Sequence, residues 1–279
     1  MVVIDGNTFS DIYQKILNYL MNRQYLTSEI CSRGKIATEI ENLVIVLRSP
    51  LSNIFKNEVR QPNYKYLAGE LIWYFSGKND LESISKYSKF WNKITDDPTH
   101  VNSAYGYLIF KEKNKHGISE WEWAYNSLVK DKFSRQSIIH FSKPDNLYFE
   151  NKDVVCTLTG TFHIRNNSLN FTVIMRSQDE ILGRTYDLPF FTLLQQQMLI
   201  HLLPHYPNLQ LGYFMQLTHS AHIYEQHYEL ASNMLKTDFI PDSLPPMKNS
   251  IVDNNGNYNY TDSQLLETDE FLNWLGVHS

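Results

Sequence analysis

Residues 154–175 constrain the fold more than any other stretch of the chain. Val154, Cys156, Leu158, Phe162 and Ile164 alternate with polar Thr157, Thr159, Thr161 and His163, the period of a half-buried strand. Leu169, Phe171, Val173 and Met175 repeat the alternation after the turn Arg165-Asn166-Asn167-Ser168. Asparagine tolerates positive φ, so the two runs predict a hairpin, with Cys156 inside its first strand. A hairpin so apolar on one face needs a partner layer. Leu188 to Leu203 has helical spacing and is apolar on most sides, which predicts a central buried helix.

Other segments fill in around this centre. Phe9, Ile12, Tyr13, Ile16, Leu17 and Leu20 follow the spacing of an amphipathic helix. Ile40 to Leu47 is β-rich and predicts a strand. Tyr64 to Phe75 predicts a helix that Gly77 ends, and a second helix is expected over Leu81 to Phe90. A strand over Leu209 to Leu217 and a helix from Ala221 to Leu235 follow. Residues 241–263 are rich in Asp, Pro, Asn and Gly and read as a surface excursion. Strands and helices mix without a strict βαβ rhythm, so the class is α+β. Without repeats or a low-complexity linker, 1–279 reads as a single catalytic domain, with 241–279 as its variable C-terminal part.

Charge narrows the partners. Among 279 residues, 25 basic and 30 acidic side chains leave −5, a poor surface for polymeric nucleic acid but no obstacle to a small anion. Two cysteines, Cys31 and Cys156, supply neither a disulfide framework nor zinc-ligand spacing, so no metal is expected and a reducing compartment is. The start MVVIDGNTFSD lacks a signal-peptide pattern, and no run approaches the roughly 20 apolar residues that span a bilayer. The expectation is a cytoplasmic chain with no membrane partner.

Cys156 alone reads as packing. As a nucleophile it requires a cationic neighbour to stabilise the thiolate, and Arg176, at the end of the paired strand, is one. Arg33, Arg135 and Arg176 each sit beside Ser or Gly, company that suits phosphate, although each alone also fits a solvated surface position. Glu70 lies inside the aromatic helix of AGELIW, where burial would carry its pKa toward acid–base range unless it is ion-paired.

Taken together these pieces become recognisable. GELIWYFSG, Trp91, the Tyr105-Gly106 pair, SRQSII, the cysteine strand, MRSQDEILG and HSAHIYEQH stand in the order of the thymidylate synthase family, which the chain resembles from about Arg33 to Tyr228. The resemblance implies an α+β fold with a large twisted mixed sheet, one face of which forms the contact of a homodimer. It implies 5,10-methylenetetrahydrofolate as one-carbon donor to C5 of a pyrimidine nucleoside monophosphate. By the same resemblance Cys156 is the nucleophile at C6, Glu70 the general acid–base group, and Tyr105 part of the network around the thiol. Arg33, Arg176 and Ser177 match phosphate ligands, as does Arg135, which reaches across the dimer interface. His222 and Tyr224 match the pair that holds the sugar 3′-hydroxyl, while Asp179, Trp91 and Gly183 match the folate site.

The departures from that pattern carry more information. Synthases have asparagine where this chain has Asp187, the side chain that reads the base edge. A carboxylate accepts only, which suits the cytosine N4 amino group and a proton at N3, whereas it repels uracil O4. Aspartate here marks the deoxycytidylate hydroxymethylase branch. Thr157, Met175 and Ser220 replace the synthases' usual His, Gln and Asp, Ile94 replaces a tryptophan near the folate, and FLNWLGVHS does not match the synthase tail. The expected reaction is hydroxymethylation of dCMP, or of CMP, in the nucleotide biosynthesis of a bacteriophage. Methyl transfer, as a thymidylate synthase or dCMP methylase, is the first alternative, and a catalytically silent nucleotide-binding protein the second.

Overall fold

A computed structural model of the chain describes residues 1–247. The chain starts with β1 (Val2–Gly6) and α1 (Phe9–Met21), whose first turn is closed by a reciprocal cap between Thr8 and Asp11. The six apolar positions spaced along α1 are all buried. Next come β2 (Thr27–Ser32) and the long β3 (Lys35–Leu47), joined at Arg33-Gly34, both at positive φ. β4 (Ile54–Lys56) leads into α2 (Tyr64–Phe75), capped by the Asn63 side chain and stopped at Gly77, φ 67°. Two short helices follow, α3 (Leu81–Ser85) and α4 (Trp91–Ile94), then a widened turn over Tyr107–Lys111 and α5 (Glu120–Lys130). β5 (Ile138–His140), β6 (Thr157–Arg165) and β7 (Ser168–Asp179) lead to α6 (Arg184–Leu202). The described chain closes with β8 (Gln210–Tyr224), α7 (Tyr228–Met234) and β9 (Ile240–Asp242).

One seven-stranded mixed sheet organises these elements, in the order β1-β3-β8-β7-β6-β5. β2 pairs with Lys35–Ile40 of β3 while β1 pairs with Leu43–Leu47, so both flank the same strand, the second in parallel. β7 and β8 also run parallel, and the remaining neighbours are antiparallel. β4 and β9 form a separate two-stranded ribbon. Phe162, Phe171 and Phe214 of the sheet are buried with Phe190 and Phe191 of α6, the apolar centre that the hairpin and helix patterns require. The α+β class and the large mixed sheet stand as expected.

Three local readings differ. The second helix ends at Ser85, and beyond it the chain turns so that the Tyr87 ring occupies the space a Cβ at Gly69 would need. Ala221–Tyr224 continues β8 instead of opening a helix, which begins only at Tyr228. Ala221, His222 and Ile223 are all buried, so this end of the strand carries no two-residue alternation to betray it. Finally, Cys156 lies just before β6, not within it. The register slips between Thr157 and Thr159, so buried Thr157 faces Met175 while Gly160, Phe162 and Ile164 carry on the core face. This bulge puts Val154, Cys156 and Leu158 out of phase with the residues they had been aligned with, and all three are half-buried. Of the C-terminal excursion, Ile240–Asp242 forms a strand against β4, and 248–279, including FLNWLGVHS, lies outside the described residues.

Candidate active site

Cys156 sits where the lead into β6 meets β7. Its carbonyl accepts from the Arg176 backbone N–H at 2.9 Å, and the Arg176 Nη2 lies 3.6 Å from its Sγ. The same guanidinium donates to the carbonyls of Val155 (3.0 Å) and Val154 (2.6 Å), which fixes its position beside the sulfur. Burial pushes the thiol up, Arg176 and more weakly Arg33 pull it down, and Asp187 and Asp153 add to the rise. The cation that a nucleophilic reading requires is therefore present. The resting group is the thiol, held next to a charge that favours its anion.

Glu70 is buried on α2, with Tyr66 and Tyr74 one turn to either side on the same helical face. The Tyr66 hydroxyl donates to Glu70 Oε1 at 2.6 Å and accepts from the Trp91 indole N–H at 3.1 Å. Burial pushes the Glu70 carboxyl up to about 8; Tyr66 and Tyr74 counter this, and the charge of Asp187 reinforces it. The competing reading of Glu70, an ion pair, finds no cation beside it among the described residues: Tyr66, Tyr74 and Asp187 surround the carboxyl.

Asp187 is in the first turn of α6, after the N-cap Gly183. Gln178 Nε2 donates to its Oδ2 at 2.7 Å. Burial pushes the Asp187 carboxyl up to about 6, with Gln178, Arg184 and Tyr105 opposing. Two acids facing one site thus have affinities for protons set apart by environment, the condition under which one serves as acid and the other as carboxylate. Tyr105 is buried and stacks on Tyr74 at 5.1 Å between ring centres, and Asp187 and Cys156 are among the charges that disfavour its ionisation. Thr157, beside the thiol, is fully buried with its hydroxyl toward Tyr105.

Beneath the site, Glu180 and Arg184 form a fully buried ion pair, with a second contact of 2.8 Å between Nη2 and Oε1. Asp179 Oδ1 receives the backbone N–H groups of Ile181 (2.8 Å) and Leu182 (2.9 Å). Its other oxygen accepts nothing among the described residues and is left as an open acceptor. In the β7–β8 register Asp179 stands opposite His222, and Ser177 opposite Ser220. His222 packs edge-on against Tyr224 at 4.9 Å.

Arg33, at the tip of the β2–β3 hairpin with φ 51°, is exposed but close enough to act on the charge of Cys156 and Tyr224. Arg135 behaves differently. It projects from a turn pinned by Phe133 N–H to Asp131 (2.9 Å) and Gln136 N–H to Ser134 (3.1 Å), and it has no hydrogen bond or ion pair among the described residues. The chain thus gathers Cys156, Glu70, Tyr105, Asp187, Arg176, Asp179, Tyr224 and Arg33, and leaves Arg135 outside. Tyr66, Tyr74 and Gln178 escaped the sequence reading. Spacing by four from Glu70 marks the two tyrosines, whereas no sequence signal ties Gln178 to Asp187. No group of three or more potential metal ligands occurs among the described residues, and no helix among them is long and apolar enough to cross a membrane.

The family model described as thymidylate synthase matches residues 46–269. A deoxyuridylate hydroxymethyltransferase of Bacillus phage SP01 is 24% identical over 99% of this chain and 74% of its own length. A deoxycytidylate 5-hydroxymethyltransferase of Enterobacteria phage T6 is 27% identical over 63% of this chain and 73% of its own. A thymidylate synthase of Haloferax volcanii is 24% identical over 57% of this chain and 50% of its own.

Proposed function

The chain belongs to the thymidylate synthase family, and from that premise we propose that it hydroxymethylates C5 of dCMP. The family transfers one carbon from methylenetetrahydrofolate to a pyrimidine nucleoside monophosphate. Both phage relatives are named for hydroxymethyl transfer, which supports that outcome over methylation. They divide on the base, so the choice of cytosine rests on one observation: Asp187, an acid with its carboxyl near 6, held by Gln178 in the site that contains the thiol. Its oxygens accept from the N4 amino group, and a proton shared with N3 completes a two-point contact. The deoxyuridylate relative, matched over 99% of this chain, favours the second reading, dUMP, in which this carboxyl would face O4.

In this reading the Cys156 sulfur, paired with Arg176, adds to C6 and makes C5 nucleophilic. Glu70, protonated at neutral pH, supplies and recovers protons at the base through ordered water, its Oε1 steadied by Tyr66. Arg33, Arg176 and Ser177 hold the phosphate, His222 and Tyr224 the 3′-hydroxyl. Asp179, Trp91 and Gly183 would hold the folate, which would supply the carbon at the methylene level and depart as tetrahydrofolate, with water supplying the hydroxyl. Arg135 completes the phosphate site of a partner subunit. Half-buried Val46, Ile174, Met215 and Leu217 adjoin one another across β3, β8 and β7, a sheet face suited to that dimer contact.

The test is direct. The protein is incubated with methylenetetrahydrofolate and either dCMP or dUMP, and the nucleotide is analysed by mass spectrometry. Hydroxymethylated dCMP is expected; unmodified dCMP beside modified dUMP overturns the assignment. Asp187→Asn should move the preference toward uracil by about 5- to 150-fold, the range of one good polar contact at a base edge.

A further inference from the structure

Gln178 is buried, and beyond its contact with Asp187 the proposed chemistry gives it no part. Its amide nitrogen reaches Asp187 Oδ2 at 2.7 Å only because residue 183 is glycine: a Cβ there would stand 2.6 Å from that nitrogen. The other end of the amide accepts from Gln216 Nε2 at 3.1 Å. Gln216 Nε2 also faces Met175 Sδ (3.0 Å) and Thr218 Oγ1 (2.9 Å); its two N–H groups cannot serve all three acceptors, and the Thr218 hydroxyl, which can take either role, does not fix the direction. A terminal amide can turn over, exchanging its donor and acceptor, so the direction of this chain must be set somewhere.

Met175 sets it. A thioether only accepts, so the end of Gln216 that faces it must be the nitrogen. Gln216 then donates to the Gln178 carbonyl, which leaves Gln178 only its nitrogen to present to Asp187. Turning Gln216 over would place its carbonyl against the Met175 sulfur and the Gln178 oxygen, acceptor against acceptor. Gln216 Oε1 is buried with no partner among the described residues in the orientation seen, so satisfaction of that oxygen is not what decides the direction.

We propose that Met175, Gln216 and Gln178 form a positioning relay that keeps Asp187 Oδ2 an acceptor and confines the proton shared with the base to Oδ1. An oxygen that receives a fixed N–H is a poor place for a proton. The carboxyl therefore offers one pattern, acceptor on Oδ2 and proton on Oδ1, which complements an amino group beside a ring nitrogen. A keto oxygen beside a ring N–H would need the proton on the other oxygen. The relay is thus a specificity determinant that never touches the substrate. It rests on the cytosine reading above.

The experiment compares the wild type, Gln178→Leu and Met175→Leu, measuring kcat/KM for dCMP and dUMP across pH. Loss of the Gln178 N–H, the hydrogen bond that holds down the proton affinity of Asp187, is expected to lower the dCMP:dUMP ratio about tenfold and raise the alkaline limb for dCMP, where the Oδ1 proton is lost, by about one pH unit. Met175→Leu keeps the volume but frees both amides to turn, and should shift both readouts the same way by less. Merely structural roles would lower kcat for both nucleotides without moving the pH profile. Should Gln178→Leu fail to fold, Met175→Leu decides. If the wild type modifies dCMP while ratio and profile stay fixed in the variants, the relay is wrong and the assignment stands. If the wild type does not act on dCMP at all, the assignment itself falls.

Discussion

Glu70 makes the cost of its burial measurable as a pH effect. Glu70→Gln keeps the shape and the oxygen that Tyr66 donates to, while removing the charge. Burial raises this carboxyl from its ordinary 4.5 to about 8 against the pull of Tyr66, and Asp187 adds to the rise. The unfolded chain therefore releases the proton near pH 4.5 and the folded protein only near 8, so the unfolded state binds fewer protons between them. Stability falls as pH climbs through that window. At about 1.4 kcal/mol per pH unit, the interval from 4.5 to about 8 amounts to at most about 5 kcal/mol. Urea unfolding of both proteins at about pH 4 and about pH 9 measures it. The variant should match the wild type in acid and exceed it by several kcal/mol in alkali. A difference that is constant across pH, or that grows in the wild type's favour, refutes the reasoning.

Other outcomes follow from the same geometry. Glu180→Gln strands the Arg184 guanidinium, whose Nη1 already lacks a partner among the described residues, and should cost about 3–5 kcal/mol in urea unfolding. Replacing both with Leu and Met should be close to neutral; equal losses in the single and double variants would contradict an uncompensated charge as the cause. Arg135→Ala and Cys156→Ser should each be inactive alone, yet refolding them together should restore about a quarter of wild-type turnover if Arg135 serves the partner's site. No recovery in a folded, mixed dimer excludes a shared site.

The strongest parts of the fold were legible because one periodicity governed each. Residues Phe9 to Leu20 bury one stripe, Leu188 to Leu202 are buried nearly all round, and Asn166-Asn167 adopt the positive φ that their turn requires. The errors fall where two constraints compete. Ala221–Tyr224 carries polar and apolar residues on a strand end enclosed from both sides, so its sequence imitates a helix. Leu81–Phe90 has the composition of a helix, but the seat of Tyr87 on Gly69 bends it away. Within the site, residues distinguished by chemistry (Cys156, Glu70, Asp187 and the arginines) could be picked out one by one. Gln178 could not, since its role exists only through the meeting of β7, β8 and the start of α6.

The slip at Thr157–Thr159 limits how this protein can be re-engineered. A designer seeking a sturdier sheet would regularise β6 by deleting the surplus position, and local hydrogen bonding would improve. Everything upstream would then rotate by half a turn relative to the strand. The sulfur would exchange sides with its neighbour's hydroxyl and Arg176 would lose its grip on the carbonyls of Val154 and Val155. Smoothing the ladder would produce a more robust protein with its reactive atom aimed the wrong way.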